Sequence, residues 1–158
     1  MNKNNNIPCP VCGKYTFYGR QNYDICKYCG WENDDYFEGG GANDLSLEEY
    51  KQRYADYLEL NPKYVFSTHG FPEITEKDRL QLDHKYCICN ERNLADSTKC
   101  GCFSCHKIYK PEEITNWVYD KKGRTAICPY CGIDSVLPGN VVELSEEYLR
   151  KMNKIWLS

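Results

Sequence analysis

Cys9-Pro-Val-Cys12-Gly13, followed after thirteen residues by Cys26-Lys-Tyr-Cys29-Gly30, decides the fold of the first part of this chain. In each pair, two residues separate the cysteines, so a tight turn can aim both sulfurs at one metal ion. The glycine after each second cysteine permits the backbone conformation that such a turn requires. Together the two pairs supply four sulfur ligands, which complete a tetrahedral site.

A second set of cysteine pairs lies near the other end of the chain. It consists of Cys102-Phe-Ser-Cys105 and, 22 residues later, Cys128-Pro-Tyr-Cys131-Gly132. Cys100 could replace Cys102 as a ligand, and His106 is another possible substitute. The sequence therefore predicts two metal ions, held by Cys9, Cys12, Cys26 and Cys29 and by Cys102, Cys105, Cys128 and Cys131.

The composition favours metal ligands over disulfides. The chain has 158 residues, eleven of them cysteines and fourteen tyrosines. It contains no apolar run long enough to span a membrane, and its start, Met1 to Asn6, lacks the apolar segment of a signal peptide. We therefore expect a cytoplasmic protein. Disulfides are rare in that reducing compartment, and the odd cysteine count agrees with ligands.

Charge is unevenly distributed along the chain. Residues 1–60 hold 6 Lys/Arg and 10 Asp/Glu, whereas residues 61–158 hold 14 and 13. Neither part has the strongly basic balance of a non-specific nucleic-acid binder, so charge disfavours nucleic acid as the partner. The acidic first part favours a protein partner.

These patterns predict a small, metal-stabilised α+β protein with two zinc-ribbon or knuckle modules. Each module would contain a short β-hairpin and a Cys₄ zinc site packed on a helix. The predicted boundaries are a first module at 1–60, a linker at 61–73 and a second module with flanking helices at 74–158. The asparagine-rich residues 1–7 are predicted to be unstructured.

Three helices have start signals in the sequence. Ser46 with Glu49 forms a capping box for a helix that ends before Asn61-Pro62. Thr75 is predicted to cap a helix that runs to about Leu94, and Ser145 to cap the last helix. The periodicity of the first helix places three tyrosines on one face: Tyr50, Tyr54 and Tyr57.

Other local signals concern the segments around the cysteine pairs. Residues 15–18 and 23–25 are β-prone and flank Gly19–Asn22, which predicts a hairpin between the first two pairs. Pro111 is predicted to open a short helix that continues through Trp117.

Four motifs occur in order in the first part of the chain. They are Cys9-Pro-x-Cys12-Gly, Tyr23-x-Ile25-Cys26-x-x-Cys29-x-Trp31-Glu32-x-Asp34, Gly40-Gly41-Ala42-Asn43-x-Leu45-Ser46-Leu47, and then Glu49. With them, residues 7–60 resemble the bacterial cysteine-rich CPCC family. Val11 replaces the first of the two adjacent cysteines in the family's name motif, whereas Cys12 keeps its spacing from Cys9. The resemblance implies a zinc-binding module and adds no known activity.

The second part of the chain carries its own set of motifs. They are Cys100-Gly-Cys102-Phe-x-Cys105, Pro111-x-Glu113-Ile114-x-x-Trp117 and Thr125-Ala-x-Cys128-Pro-x-Cys131-Gly-Ile-Asp134-Ser135-Val136. Residues 84–158 thereby resemble a group of small bacterial cytoplasmic proteins with a zinc-ribbon-like core. If both resemblances hold, the chain is a fusion of two families, and both modules serve one process.

The predicted metal chemistry is structural. Both quartets are complete, whereas a catalytic zinc keeps one position for water, so we predict that the protein is not an enzyme. The pairs also resemble the knuckles of rubredoxin, and four sulfurs suit iron as well as zinc. A rubredoxin-like iron electron carrier is therefore an alternative. A third, looser site is conceivable from His84, Cys87, Cys89 and Cys100, although core packing of Cys87, a free thiol at Cys89 and an edge position of His84 are the favoured explanation.

The leading hypothesis for function is a protein-interaction module with two structural zinc ions. Regulating or neutralising a bacterial effector, as toxin-immunity or phage-conflict proteins do, is one concrete form of it. The acidic stretch from Glu32 to Glu38 and the tyrosine face of the first helix are the predicted working surface. The aromatic residues predicted to contact the partner are Trp31, Tyr50, Tyr54, Tyr57, Trp117 and Trp156.

The rival hypothesis is a nucleic-acid-binding zinc ribbon that uses a basic and aromatic patch. The patch consists of Lys107, Lys110, Lys121, Lys122 and Arg124, with Tyr109, Trp117 and Tyr119 between them. Because Glu112, Glu113 and Asp120 dilute its charge, the patch is interpreted as a solvated face.

Overall fold

The computed structural model describes residues 6–158, which divide into two compact units with the boundary between Ile74 and Thr75. Each unit combines short strands and helices with one group of four cysteines. This confirms the predicted class, a small mixed α+β protein with two zinc-ribbon-like modules.

The hairpin of the first unit surrounds a cysteine pair. Strands β1 (Asn6–Pro8) and β2 (Thr16–Tyr18) are antiparallel, with Ile7 opposite Phe17, and the Cys9–Cys12 turn lies between them. The prediction that β2 pairs with residues 23–25 is therefore wrong, because the metal-binding turn itself closes the hairpin. Ile25 instead forms a bridge with Glu32. Of the start predicted to be unstructured, residues 1–5 lie outside the described residues, while the last two residues belong to β1.

Helix α1 (Leu47–Leu60) begins as predicted. The Glu49 N–H donates to Ser46 Oγ, and the Ser46 N–H donates to the Glu49 carboxylate, which is a complete capping box. The tyrosine face of α1 is buried against Trp31, whose ring lies 5.1 Å from that of Tyr50 in an edge-to-face arrangement. Aromatic rings therefore form the core of the first unit.

Residues 61–73 pack on the first unit, in contrast to their interpretation as a linker. Tyr64 is buried with its ring 4.8 Å from that of Tyr57, and α2 (Phe66–His69) follows it. The Phe66 N–H donates to the carbonyl of Tyr28, which lies inside the second cysteine pair. The segment is attached because the Tyr64 ring is buried against a helix that is formed by other residues. Pro62 and Gly70, which suggested a linker, do not reveal that contact in the sequence.

Two small sheets form the β structure of the second unit. Strands β3 (Cys100–Cys102), β4 (Ile108–Tyr109) and β7 (Val136–Pro138) form an antiparallel sheet in the order β4-β3-β7. Strands β5 (Trp117–Asp120) and β6 (Gly123–Ala126) form a separate hairpin. The helix predicted from Pro111 through Trp117 is a single 3₁₀ turn that ends at Glu113, because the β-prone residues after it pair with β6.

The helices of the second unit are α3 (Glu76–Asp83), α4 (Glu91–Ala95) and α5 (Glu146–Trp156). Thr75 and Ser145 cap α3 and α5, as predicted. The prediction that α3 continues to Leu94 is wrong, since a 3₁₀ turn (His84–Cys87) follows it. Cys89 then adopts a left-handed conformation with φ 48° and donates its N–H to Thr125 Oγ1, which ends the helical path.

Asn90 joins α4 to two strands that the sequence does not associate with it. Its side chain is buried, with 1% of its surface exposed. Nδ2 donates to the Val136 carbonyl at 2.8 Å, and Oδ1 accepts from the Ala126 N–H at 3.0 Å. The amide thereby satisfies one backbone group on each of β6 and β7.

We expect Asn90→Ala to lower the free energy of unfolding of the second unit by about 3 kcal/mol, since two buried backbone groups lose their partners. Urea unfolding of the metal-loaded protein would measure the change. Asn93→Ala on the same helix is the matched control, because no hydrogen bond of its side chain is present among residues 6–158. Equal unfolding midpoints for the two variants would contradict the role of Asn90.

Within residues 6–158, no helix has the length and apolar character needed to cross a membrane.

Candidate metal centres

The first centre brings together the four predicted cysteines of the first unit. The sulfurs of Cys9, Cys12, Cys26 and Cys29 all lie within 4.8 Å of one another. Two of the contacts join the two turns: Cys9 to Cys29 at 3.5 Å and Cys12 to Cys26 at 3.5 Å. Metal–sulfur bonds of about 2.3 Å in a tetrahedron place sulfurs about 3.8 Å apart, so the group fits one four-coordinate ion.

The second centre repeats this arrangement. The sulfurs of Cys102, Cys105, Cys128 and Cys131 also lie within 4.8 Å of one another. Again the first cysteine of one pair contacts the second cysteine of the other, at 3.6 Å for Cys102 and Cys131 and 3.8 Å for Cys105 and Cys128. The chain can therefore hold two metal ions.

These contacts are not disulfides. A disulfide joins sulfurs at about 2.05 Å, well below the distances in either group. Among residues 6–158, all eleven cysteines are free thiols. The preference for ligands over disulfides is consistent with this state.

The four cysteine turns share a backbone pattern that prepares them for a metal. The residue after each second cysteine donates its N–H to the carbonyl of the first cysteine: Gly13 to Cys9, Gly30 to Cys26, His106 to Cys102, and Gly132 to Cys128, at 2.8 to 2.9 Å. The first cysteine also donates its own N–H across the turn, as Cys26 does to the Trp31 carbonyl at 2.8 Å. Each turn is thus a closed hydrogen-bonded loop that holds two sulfurs on one side.

The electrostatic environment of both centres favours a bound cation. Hydrogen bonds with the Cys29 and Cys9 thiols lower the pKa of Cys26, whereas hydrogen bonds with the Cys26 and Cys9 thiols raise the pKa of Cys29. Burial raises the pKa of Cys102, whose sulfur also lies 3.2 Å from the Ser135 hydroxyl. Without a cation, only part of each group can be ionised at once, whereas a bound metal stabilises four thiolates.

The structure resolves the alternatives for the second centre. Cys100 is buried outside the group, and its thiol lies 3.5 Å from the Tyr109 carbonyl. His106 contributes its backbone to the turn and is not part of the sulfur group.

A third group of metal ligands is not formed within the described part of the chain. The His84 ring stacks on Trp156 with 3.8 Å between ring centroids, and burial lowers its pKa. Cys87 is buried in the core of the second unit with Leu80. Core packing therefore accounts for two of the four residues proposed for a looser site.

His106 occupies a position that the other three turns give to glycine. Its φ is 65°, within the region that side chains with a Cβ disfavour. Its Nε2 is buried without a hydrogen-bond partner among residues 6–158. The sequence signal that identifies this position is the comparison of the four pairs, since glycine follows the second cysteine in the other three.

We expect His106→Gly to be more stable than His106→Ala by about 1 kcal/mol, because both variants lose the imidazole and only glycine removes the cost of the left-handed backbone. Thermal unfolding of the metal-loaded second unit would show a higher midpoint for the glycine variant. Identical midpoints for the two variants would mean that this turn is not strained.

The aromatic residues predicted to contact a partner require a correction. Trp31, Tyr50, Tyr54 and Tyr57 expose at most 7% of their surface, because the face that they form is the core of the first unit. Trp117 is half-buried, and Trp156 is 36% exposed. Only these last two of the six can contact a partner without unfolding.

The family model described as cysteine-rich CPCC matches residues 7–65. This confirms the resemblance of the first unit and agrees with the packing of Tyr64 on that unit. The resemblance of residues 84–158 to small zinc-ribbon-like proteins is not confirmed by the comparisons. No curated protein and no solved structure matches the chain.

Proposed function

We propose that this protein is a non-catalytic interaction module, that its two metal ions are structural zinc, and that a rigid acidic loop of the first unit binds a basic protein. The acidic loop is defined as Glu32–Glu38. The main observation in support of the proposal is that aromatic rings are exposed on this loop among carboxylates.

Structural zinc is supported by the donor sets. Each centre has four sulfurs, so a bound ion keeps no position for water or substrate. Cys9, Cys26 and Cys29 are buried, and the fourth sulfur ligand of that centre is half-buried. A closed, buried S₄ site stabilises a small module and offers no route for metal-centred chemistry at a substrate.

The acidic loop presents two exposed aromatic rings. Tyr36 is 53% exposed and Phe37 is 43% exposed. The Asp34 carboxylate accepts from the Tyr36 N–H at 3.1 Å and from the Ala42 N–H at 2.9 Å, which fixes the backbone beside the rings. Exposed aromatic residues are enriched in the contact regions of protein interfaces.

Further contacts hold the acidic loop against the core. The buried Asn43 side chain accepts from the Glu32 N–H and donates to the Glu32 carbonyl, each at 2.9 Å. The Phe37 ring stacks on the Trp31 ring, with 6.2 Å between the ring centroids. The backbone carbonyl of Phe37 accepts a hydrogen bond from the Leu47 N–H. Because the loop is already ordered, binding costs little conformational entropy.

The charge around the loop selects a basic partner. Residues 28–50 contain seven Asp/Glu and no Lys/Arg. Asp44 and Glu48 pair with Arg53 and Lys51. The carboxylates of the acidic loop itself have no ion pair within the described residues, so a positively charged surface would complement them.

The experiment is affinity capture from the cells that produce the protein, followed by titration of the purified partner. We expect the double variant Asp35→Lys/Tyr36→Ala to weaken binding at least about tenfold and binding to weaken with salt, because the contacts combine an aromatic ring with exposed charges. Tyr18→Ala is the matched control, since Tyr18 is 75% exposed on β2. A partner with an acidic contact surface, or equal affinities for both variants, would refute the proposal.

That the partner is a bacterial effector stays a prediction. The genes that neighbour this one provide its test, since a toxin or phage-defence cassette alongside would identify the process.

A further inference from the structure

One face of the β5–β6 hairpin carries stacked aromatic and cationic side chains. Trp117 and Tyr119 lie on the same side of β5, because alternate residues of a strand face the same way. Arg124 lies opposite Tyr119 on β6. Its guanidinium lies 5.0 Å from the Trp117 ring and 5.7 Å from the Tyr119 ring, and it also pairs with Glu91.

These rings are accessible. Tyr119 is 72% exposed, and half-buried Trp117 borders an open cavity of about 270 Å³. Leu94 and Pro111 supply apolar walls to this cavity, and Arg124 lies at its edge. The indole of Trp117 forms part of the cavity lining, together with the carboxylates Glu91 and Glu112.

A second exposed aromatic ring is linked to the first surface through the 3₁₀ turn Pro111–Glu113. Tyr130 is 48% exposed, and the Lys107 ammonium lies 4.2 Å from its ring. The Tyr130 hydroxyl bonds to Glu113, which belongs to the same 3₁₀ turn as the cavity residue Pro111. One short turn thus connects the two aromatic surfaces.

Four lysines outnumber the three acids of the predicted basic and aromatic patch. Glu113 accepts from Tyr130 and from the Lys110 N–H, and Asp120 accepts from the Lys122 N–H. These donors are neutral groups and leave the negative charge in place, and the bond from Tyr130 lowers the pKa of Glu113. Four lysines have no ion pair within residues 6–158: Lys107, Lys110, Lys121 and Lys122.

We propose that the β5–β6 hairpin, together with Tyr130, binds single-stranded nucleic acid. Bases stack on Tyr119, Trp117 and Tyr130, and the lysines contact phosphates. Alternate residues of a strand are about 6.6 Å apart, a spacing comparable with that of successive bases in an extended single strand. Stacking on an open ring requires unpaired bases, so a single strand is preferred over a duplex. This surface and its partner are independent of the acidic loop.

The test is fluorescence anisotropy of the full, metal-loaded chain with a short fluorescein-labelled single strand of mixed sequence and with the corresponding duplex. We expect tighter binding of the single strand. The logarithm of the binding constant should fall with the logarithm of salt concentration with a slope of about −2 to −3, as three or four phosphate contacts predict. Equal binding of the duplex, or no binding at low salt, would overturn the proposal.

Variants with matched controls assign the binding to this surface. We expect Tyr119→Ala to weaken binding about tenfold, as loss of one stacked base predicts. Tyr18→Ala, which removes a similarly exposed tyrosine from the first unit, should change nothing. Lys121→Glu/Lys122→Glu should abolish binding, whereas Lys77→Glu/Lys154→Glu, with the same change of charge on exposed helix positions, should retain most of it. If each test pair behaves like its control, the binding surface lies elsewhere.

Discussion

Removing the metal ions from this protein will unfold both units. The cores of the units are small and rely on aromatic rings and cysteines, with Cys9, Cys26 and Cys29 among the buried residues of the first core. In zinc-finger peptides, metal binding contributes on the order of 10 kcal/mol to folding. That contribution exceeds the stability that a module of this size obtains from packing alone.

The measurement is a chelator titration followed by circular dichroism, with metal analysis of the starting protein. We expect two ions per chain, a colourless protein, and loss of the folded spectrum when the chelator removes the ions. Lowering the pH should have the same effect, because protons compete with the metal for the thiolates. A red protein would support the iron alternative. An unchanged spectrum after complete metal removal would contradict a structural role.

Single cysteine variants separate the two centres. Cys26→Ser should reduce the metal content to one ion and unfold the first unit, because a serine hydroxyl is a poor replacement for a thiolate ligand. Cys89→Ser is the matched control, since this cysteine lies outside both sulfur groups. We expect it to keep both ions and both folded units.

Gly30→Ala will destabilise the first unit far more than Gly13→Ala, although both glycines follow the second cysteine of a turn. Both have a positive φ, 83° for Gly30 and 67° for Gly13, so both substitutions incur a backbone cost of about 1–2 kcal/mol. Only at Gly30 would the new Cβ also lie 2.7 Å from the Phe66 ring and 2.9 Å from the Phe71 ring. At Gly13 no atom lies within 4 Å of that position.

The expected loss at Gly30 is therefore about 4 kcal/mol, the sum of the backbone cost and an overpacking cost of about 1–3 kcal/mol. Denaturant unfolding of the metal-loaded variants would measure both losses. If the two losses are equal, then residues 66–71 do not pack on the second cysteine pair, and the assignment of residues 61–73 to the first unit would be wrong.

The cysteine turns and the helix caps of this protein were predictable from its sequence. Both cysteine quartets assemble as their spacing predicts, and Ser46, Thr75 and Ser145 cap their helices. Each of these features depends on residues that are close in the chain or on one repeated ligand spacing.

The features that escaped prediction depend on distant contacts. The Asn90 side chain forms hydrogen bonds with residues 36 and 46 positions away in the chain. The Asn43 side chain bonds to Glu32, which is eleven positions away. An asparagine in a loop has the same appearance in the sequence whether its amide is solvated or buried, so such roles depend on the completed fold.

The sequence by itself determined where the metals bind and where the main helices begin, because a tight turn and a cap are set by neighbouring residues. Only the tertiary structure decided which aromatic residues are available to a partner. Periodicity identifies an apolar helix face, but the packing of Trp31 and Tyr64 on that face buries it. Exposed rings lie instead on segments such as the acidic loop, which carries Tyr36 and Phe37, and the β5–β6 hairpin, which carries Tyr119.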